Sequence, residues 1–166
     1  MALAELGPAE RFAGGAIGTP GSRRFYLEVT VAGVRRSFLC EKAQLAELAS
    51  QGLTLIAATH LQIDEEAVAR LVGHGLEIGE PESEEGQFRV GSMAVSINPS
   101  HLISITLESD DELQAVSFVV APEQFRAMAM VSLQVVAAGR PICPWCRLPI
   151  DPEGHNCPAG NGHRTP

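Results

Sequence analysis

Apolar and polar positions alternate with a period of two through residues 25–31. Phe25, Leu27, Val29 and Val31 fall on one face, and Tyr26, Glu28 and Thr30 on the other. Such alternation predicts a strand with one face toward a core. Ala32-Gly33 then suits a tight turn into a second strand, VRRSFLC. A later stretch repeats the pattern, with Ile103, Ile105 and Leu107 set against Ser104, Thr106 and Glu108, and with turns at Asn98-Pro99 and Asp110-Asp111. Strands joined by turns this short must run antiparallel.

Elsewhere the apolar period lengthens. Leu45, Leu48, Ala49, Gly52, Leu55 and Ile56 form one stripe at helical spacing, and Phe125, Met128, Ala129, Ser132, Val135 and Val136 form another. Gly52 within the first stripe costs about 1 kcal/mol against Ala in a helix, unless it allows another backbone to approach closely there. The competing reading ends the helix at Gly52 and makes LTLIAATHLQI a strand. The second helix is punctuated by Pro122 in its first turn, Gly139 at its exit and Pro141 beyond. It is apolar almost all round between Ala127 and Ala138, so it is either sandwiched in a core or covers a second subunit, as in a homodimer. Asp64 to Val72 predicts a further short helix, with Asp64 as its N-cap and Gly73 as its stop.

The two periodic regions resemble each other. SFLCEKAQLAEL begins at Ser37 and SFVVAPEQFRAM at Ser117, and each has a Gln seven residues after the Ser, Gln44 and Gln124. RFAGGAIG at Arg11 parallels QFRVGSMA at Gln87. An internal duplication accounts for this, each half contributing three strands and a helix; chance likeness between amphipathic segments is the rival account. The expected fold is α+β: an antiparallel sheet built from two βββα repeats, with helices packed on it. The expected organisation is a duplicated domain over residues 1–140, with halves at about 10–60 and 87–139, and a tail over 141–166. The acidic EIGEPESEEGQ, at about 77–87, reads as a mobile link between the halves.

Composition narrows the function classes. The chain has 166 residues, 45% hydrophobic and 19% charged, with a formal net charge of -8. Length and apolar content suit a globular body with its own core. The acidic balance lacks the basic stripe of a nucleic-acid binder. No apolar run approaches the roughly 18 residues that span a bilayer. The opening MALAELGPAERF has no signal-peptide pattern, so a cytoplasmic setting with reduced thiols is expected. Cys40, in a strand-like run, reads as a buried free thiol.

The candidate chemistry sits near the end of the chain, in CPWCRLPIDPEGHNCP. Cys143 and Cys146 form a Cys-Pro-Trp-Cys knuckle whose spacing lets backbone amides wrap one metal ion. His155 and Cys157 close a set of three sulfurs and one nitrogen, which suits a structural zinc. His155 and Cys157 are only two residues apart and must reach the same ion, so His163 is the substitute fourth ligand; a cysteine triad with water is a third arrangement. The rival is a redox dithiol at Cys143 and Cys146. Such pairs favour the start of a helix, whereas this one follows a helix and is flanked by Pro141 and Pro144.

No catalytic constellation emerges. GGAIGTPGS lacks the Lys-Ser/Thr ending of a P-loop, and its Pro20-Gly21 is better explained as a type II turn in a hairpin. His60, His74 and His101 are scattered, and Ser92 and Ser117 have no nucleophile-elbow context.

RFAGGAIGTPGSRRFYLEV, EKAQLAELA, FRVGSMA and AAGRPICPWCRLPIDPEGHNCPAGNGHR together resemble domain-of-unknown-function family 3090, an uncharacterised bacterial family, from about Glu10 to Arg164. The resemblance implies that Cys143, Cys146, His155 and Cys157 are family features. It also implies a functional link to histidine-phosphatase-like and lipid-kinase-like proteins, which are often encoded nearby. It supplies no activity. Arg147 stands where the family usually has Gly, and His163 where an aromatic is common.

The expected function is therefore a zinc-binding, non-catalytic interaction or regulatory module with an unknown protein partner. The alternative is an enzyme or ligand-binding protein of phosphoryl or nucleotide metabolism, using a groove between the halves, with GGAIGTPG and Arg23, Arg24 or Arg89 as anion contacts. Redox use of Cys143 and Cys146 is the third reading.

Overall fold

The structure is a computed structural model, and it describes residues 2–138, 143–148, 150, 154–160 and 164–165. The fold is α+β. Strands β1 (Ala2–Pro8), β2 (Arg11–Ile17), β3 (Arg24–Val31) and β4 (Val34–Cys40) lead to helix α1 (Lys42–Ala58) and the short α2 (Glu65–Gly73). Strands β5 (Val90–Ile97), β6 (Ile103–Ser109) and β7 (Gln114–Val120) lead to α3 (Pro122–Ala137). The order three strands, then a helix, thus occurs twice, as expected. That is a likeness of arrangement and does not establish a duplication.

Over residues 2–138 two sheets form where a single antiparallel one was expected. One has the order β2-β3-β4 and the other β1-β7-β6-β5. All neighbours are antiparallel except β1, which runs parallel to β7. β1 is the element that periodicity missed. ALAELGP is rich in helix formers, and it becomes a strand because the edge of β7 offers it backbone partners, with the Ala2 N–H donating to the Leu113 carbonyl at 3.0 Å.

The turns form where residue chemistry places them. Gly21 lies at φ +89°, and the Ser22 N–H donates to the Thr19 carbonyl at 2.9 Å, which closes the type II turn at Pro20-Gly21. Ala32 and Gly33 both have positive φ, as a two-residue hairpin turn requires. The Asp64 carboxylate accepts from the Glu66 and Ala67 N–H groups and caps α2.

One core joins both halves. Phe12 of β2 packs edge-on against Phe118 of β7, with ring centroids 5.3 Å apart, and stands 6.3 Å from Phe125 of α3. Each helix packs on the first strand of the other half, α3 on β2 and α1 on β5. Gln44 and Gln124 stitch this exchange. Each side-chain oxygen accepts the backbone N–H at the start of its own helix, from Glu41 and Ala121, both at 2.8 Å. Each amide then reaches across: Gln124 donates to the Ala9 carbonyl, and Gln44 to the carbonyls of Val90 and Gly91.

α1 runs unbroken through Gly52 and stops at Thr59, so the helical reading of residues 53–58 holds. The glycine is there for close approach. A Cβ at Gly52 would collide with the Phe125 ring, and one at Gly14 would collide with Ser132 and Leu45. α3 is sandwiched against β2, α1 and α2, leaving Met130 as its exposed large apolar side chain.

The acidic link is not a free tether. Residues 75–86 lie across the outer face of β2-β3-β4. Leu76 is buried, and Ile78 packs over Gly15. Tyr26 donates its hydroxyl to the Glu84 carbonyl at 2.7 Å. Glu28 lies under the segment at 3% exposure. It accepts from Arg11 at 2.7 Å, from Arg35 at 2.9 Å and from the Gly79 N–H at 2.7 Å. The same two arginines donate to the carbonyls of Glu77 and Glu80. The alternation at residues 26, 28 and 30 therefore marks a second buried face rather than a wet one.

Candidate metal centre

Local backbone chemistry builds the knuckle. The Cys143 N–H donates to the Leu148 carbonyl at 2.8 Å, and the Arg147 N–H donates to the Cys143 carbonyl at 2.9 Å. These bonds fold residues 143–148 into a loop with the two thiols on its inner side. Arg147 closes the loop with φ +64°, a left-handed conformation that costs a non-glycine residue about 1–2 kcal/mol.

The second pair arrives on extended backbone. Gly154, at φ +91°, turns the chain into the two-residue strand β8 (His155–Asn156), which pairs antiparallel with β9 (Arg164–Thr165). Side chains two apart on extended chain point the same way. That answers how His155 and Cys157 reach one point.

The ligand atoms of Cys143, Cys146, His155 and Cys157 all lie within 4.8 Å of one another. The Cys143 and Cys157 sulfurs are 3.8 Å apart, and the Cys146 sulfur is 3.4 Å from His155 Nε2. A tetrahedral ion with Zn–S near 2.3 Å and Zn–N near 2.0 Å implies edges of about 3.8 Å between sulfurs and about 3.5 Å between sulfur and nitrogen. Both measured edges match, so the cluster is compatible with a metal site. All four cysteines are free thiols. Cys143, Cys157 and Ile150 form a small buried cluster with Cys146 at its margin. His163, the substitute ligand, lies outside the described residues.

The thiols do not ionise alike. The Cys146 backbone N–H, donating to the Cys143 sulfur, brings that thiol down to about 6. Cys146 is pushed up, first by desolvation and then by the neighbouring Cys157 and Cys143 sulfurs. One thiolate forms readily and opposes the next, and a bound cation removes that conflict by neutralising several sulfurs at once.

The other candidate residues are not brought together. Among the described residues, His60, His74 and His101 join no metal-competent cluster. Cys40 is buried, and desolvation pushes its thiol up to about 12, so it is inert in the native fold. An open cleft of about 540 Å³ runs past Gly14, Gly18 and Pro20. Of the three expected anion contacts, Arg23 lines this cleft and Arg24 and Arg89 do not, and each of the three is already paired within the chain. Arg23 donates to the Val135 and Ala138 carbonyls at 2.8 and 2.9 Å, closing the C-terminus of α3, and its guanidinium stacks over Phe25. Arg24 pairs with Glu84, and Arg89 with Glu41.

Sequence reasoning passed over the tip of the knuckle. Trp145 is 63% exposed and Leu148 50%, an apolar pair beside the metal-competent cluster. The signal was present in the Cys-Pro-Trp-Cys spacing, since a residue between two ligands of a tight turn points outward.

No helix is long and apolar enough to cross a membrane among the described residues. Comparison with curated proteins and with solved structures gives no match. A family model matches residues 5–157, a span that takes in both βββα units and ends on Cys157, the last of the four clustered side chains. That match covers most of the chain, which therefore belongs to the family described as Protein of unknown function (DUF3090).

Proposed function

We propose that Cys143, Cys146, His155 and Cys157 hold one structural zinc ion, and that the protein acts as a non-catalytic interaction or regulatory module. The observation that carries the metal reading is the pair of tetrahedral edges, 3.8 and 3.4 Å. Three thiolates and an imidazole favour zinc over the hard, oxygen-seeking cations. Four protein ligands leave no open position for water, and among the described residues the cluster contains no carboxylate to serve as a base.

Magnitudes explain why the tail needs the ion. Ordering the backbone from Cys143 to Cys157 costs about 1–2 kcal/mol per residue. Among the described residues of the tail, burial of Ile150 recovers about 1.5–3 kcal/mol. Zinc binding at such a site supplies on the order of 10–16 kcal/mol.

Among the described residues, the core cluster of the body contains none from the tail. The module reading therefore expects the body to keep its fold when the metal is removed. The enzymatic alternative is weakened because Arg23, Arg24 and Arg89 are already engaged. The redox reading is weakened because Cys143 has a third sulfur, Cys157, at 3.8 Å.

The test is zinc content per chain in protein purified under reducing conditions, for the parent and for Cys143→Ser, with circular dichroism recorded during chelation. About one zinc per chain in the parent and none in the variant is expected, with the strand and helix signal of the body retained. A metal-free parent whose thiols oxidise rapidly would overturn the zinc reading. Unfolding of the body on chelation would overturn the separable module.

A further inference from the structure

Strand β5 is an edge, and its outward hydrogen-bonding groups can be identified. The Asn98 N–H donates to the Leu102 carbonyl at 2.9 Å across the β5–β6 turn. Bonded positions alternate in an antiparallel pair, so Ser96, Ala94 and Ser92 face β6. Met93, Val95 and Ile97 therefore turn their N–H and C=O groups outward. The start of the edge is taken, because Gln44 covers the carbonyls of Val90 and Gly91 and the Leu39 N–H donates to the Phe88 carbonyl. From Met93 onward, β6 is the only strand paired with β5 among the described residues.

Proteins protect exposed edges with charge, bulges and proline. The opposite edge of this sheet, β1, has all three: exposed Glu5, a register shift between Glu5 and Gly7, and Pro8. In the other sheet, β4 is met by bridges to Gly86 and Arg89, and β2 is flanked by the 75–78 segment that Arg11 holds. Over Met93–Ile97 the β5 edge has no charge, no proline and no bulge.

We propose that β5 is the surface through which two copies of this chain join, antiparallel about a two-fold axis at Val95, so that two 4-stranded sheets become one continuous sheet. The register follows from the outward positions. Val95 bonds to the partner's Val95, and Met93 to the partner's Ile97, for about six backbone hydrogen bonds. A groove of about 240 Å³ lies between α1 and this edge, lined by Leu48 and Met93 with Gln44, Glu47 and Gln51 at its rim. The pairing places the partner's Ile97 beside Met93, which supplies an apolar side chain to that groove in both copies at once. The charge distribution makes this edge the least repulsive place for a second copy to meet. Each chain carries a net charge of -8, so contact costs least where no charges are brought face to face, and the eight residues of β5 include none.

The test is sedimentation velocity of the full-length protein over a range of concentrations, for the parent, Val95→Pro and Ala94→Lys. Val95→Pro removes an N–H that the single chain does not use. Ala94→Lys puts a cation on the solvent face of β5 and sets two lysines diagonally across the axis. The parent should reach twice the single-chain mass as concentration rises. Each variant that retains the parent's circular dichroism should weaken the association by tenfold or more. If Val95→Pro fails to fold, Ala94→Lys decides. Single-chain mass for the parent at every concentration would overturn the proposal, and so would a dimer that folded variants leave unchanged.

Discussion

Two residues show how local environment alone sets chemistry. Cys40 is a thiol kept neutral by burial, raised from 9.0 to about 12. A group whose folded pKa exceeds its unfolded value contributes fully below the unfolded value and loses that contribution as pH rises toward the folded one. Stability should therefore fall between about pH 9 and 12, by roughly 1.4 kcal/mol per pH unit at most. Urea midpoints across that range should show the slope, and Cys40→Ala should remove it. Arg147 holds a conformation that suits glycine. Arg147→Gly should therefore stabilise the metal-bound tail by about 1 kcal/mol. The single tryptophan, Trp145, lies inside the knuckle and reports the change, since its emission should resist a competing chelator to a higher concentration than in the parent.

Among the elements, the α1–α3 contact is governed by what is missing at Gly52. Alanine is the better helix former by about 1 kcal/mol, so propensity alone favours Gly52→Ala. Packing opposes it, because the new methyl would enter the Phe125 ring. Overpacking of a filled core costs about 1–3 kcal/mol or more. Gly52→Ala should therefore lower the urea midpoint, and Phe125→Leu in the same chain should restore part of the loss. The coupling between the two positions, measured as a double-mutant cycle, distinguishes this contact from a general effect of either substitution.

For the whole molecule, Glu28 joins pieces remote in sequence, since Arg11, Arg35 and Gly79 converge on it. Removing one partner of a buried ion pair costs about 3–5 kcal/mol. Here the arginines keep 34% and 42% exposure and can turn to water, so Glu28→Leu should cost less, about 2–3 kcal/mol. Its particular mark should be a new protease-sensitive site within residues 75–86, while the rest of the body remains resistant at the same protease concentration.

The sequence by itself determined what neighbouring residues settle among themselves. The Pro20-Gly21 and Ala32-Gly33 turns, the Asp64 cap, the alternation of β3 and β6 and the Cys/His cluster all arise within a few residues or one loop. Backbone sterics and short hydrogen bonds suffice there. Tertiary structure decided the rest. β1 is a strand because β7, more than a hundred residues away, leaves an edge for it. The acidic link lies flat because a buried carboxylate and two arginines on the sheet beneath hold its carbonyls. Each helix covers the other half's first strand because exchange buries both apolar stripes in one core. These pairings depend on which surfaces meet after the chain collapses, and no local pattern of apolar and polar residues specifies the partner.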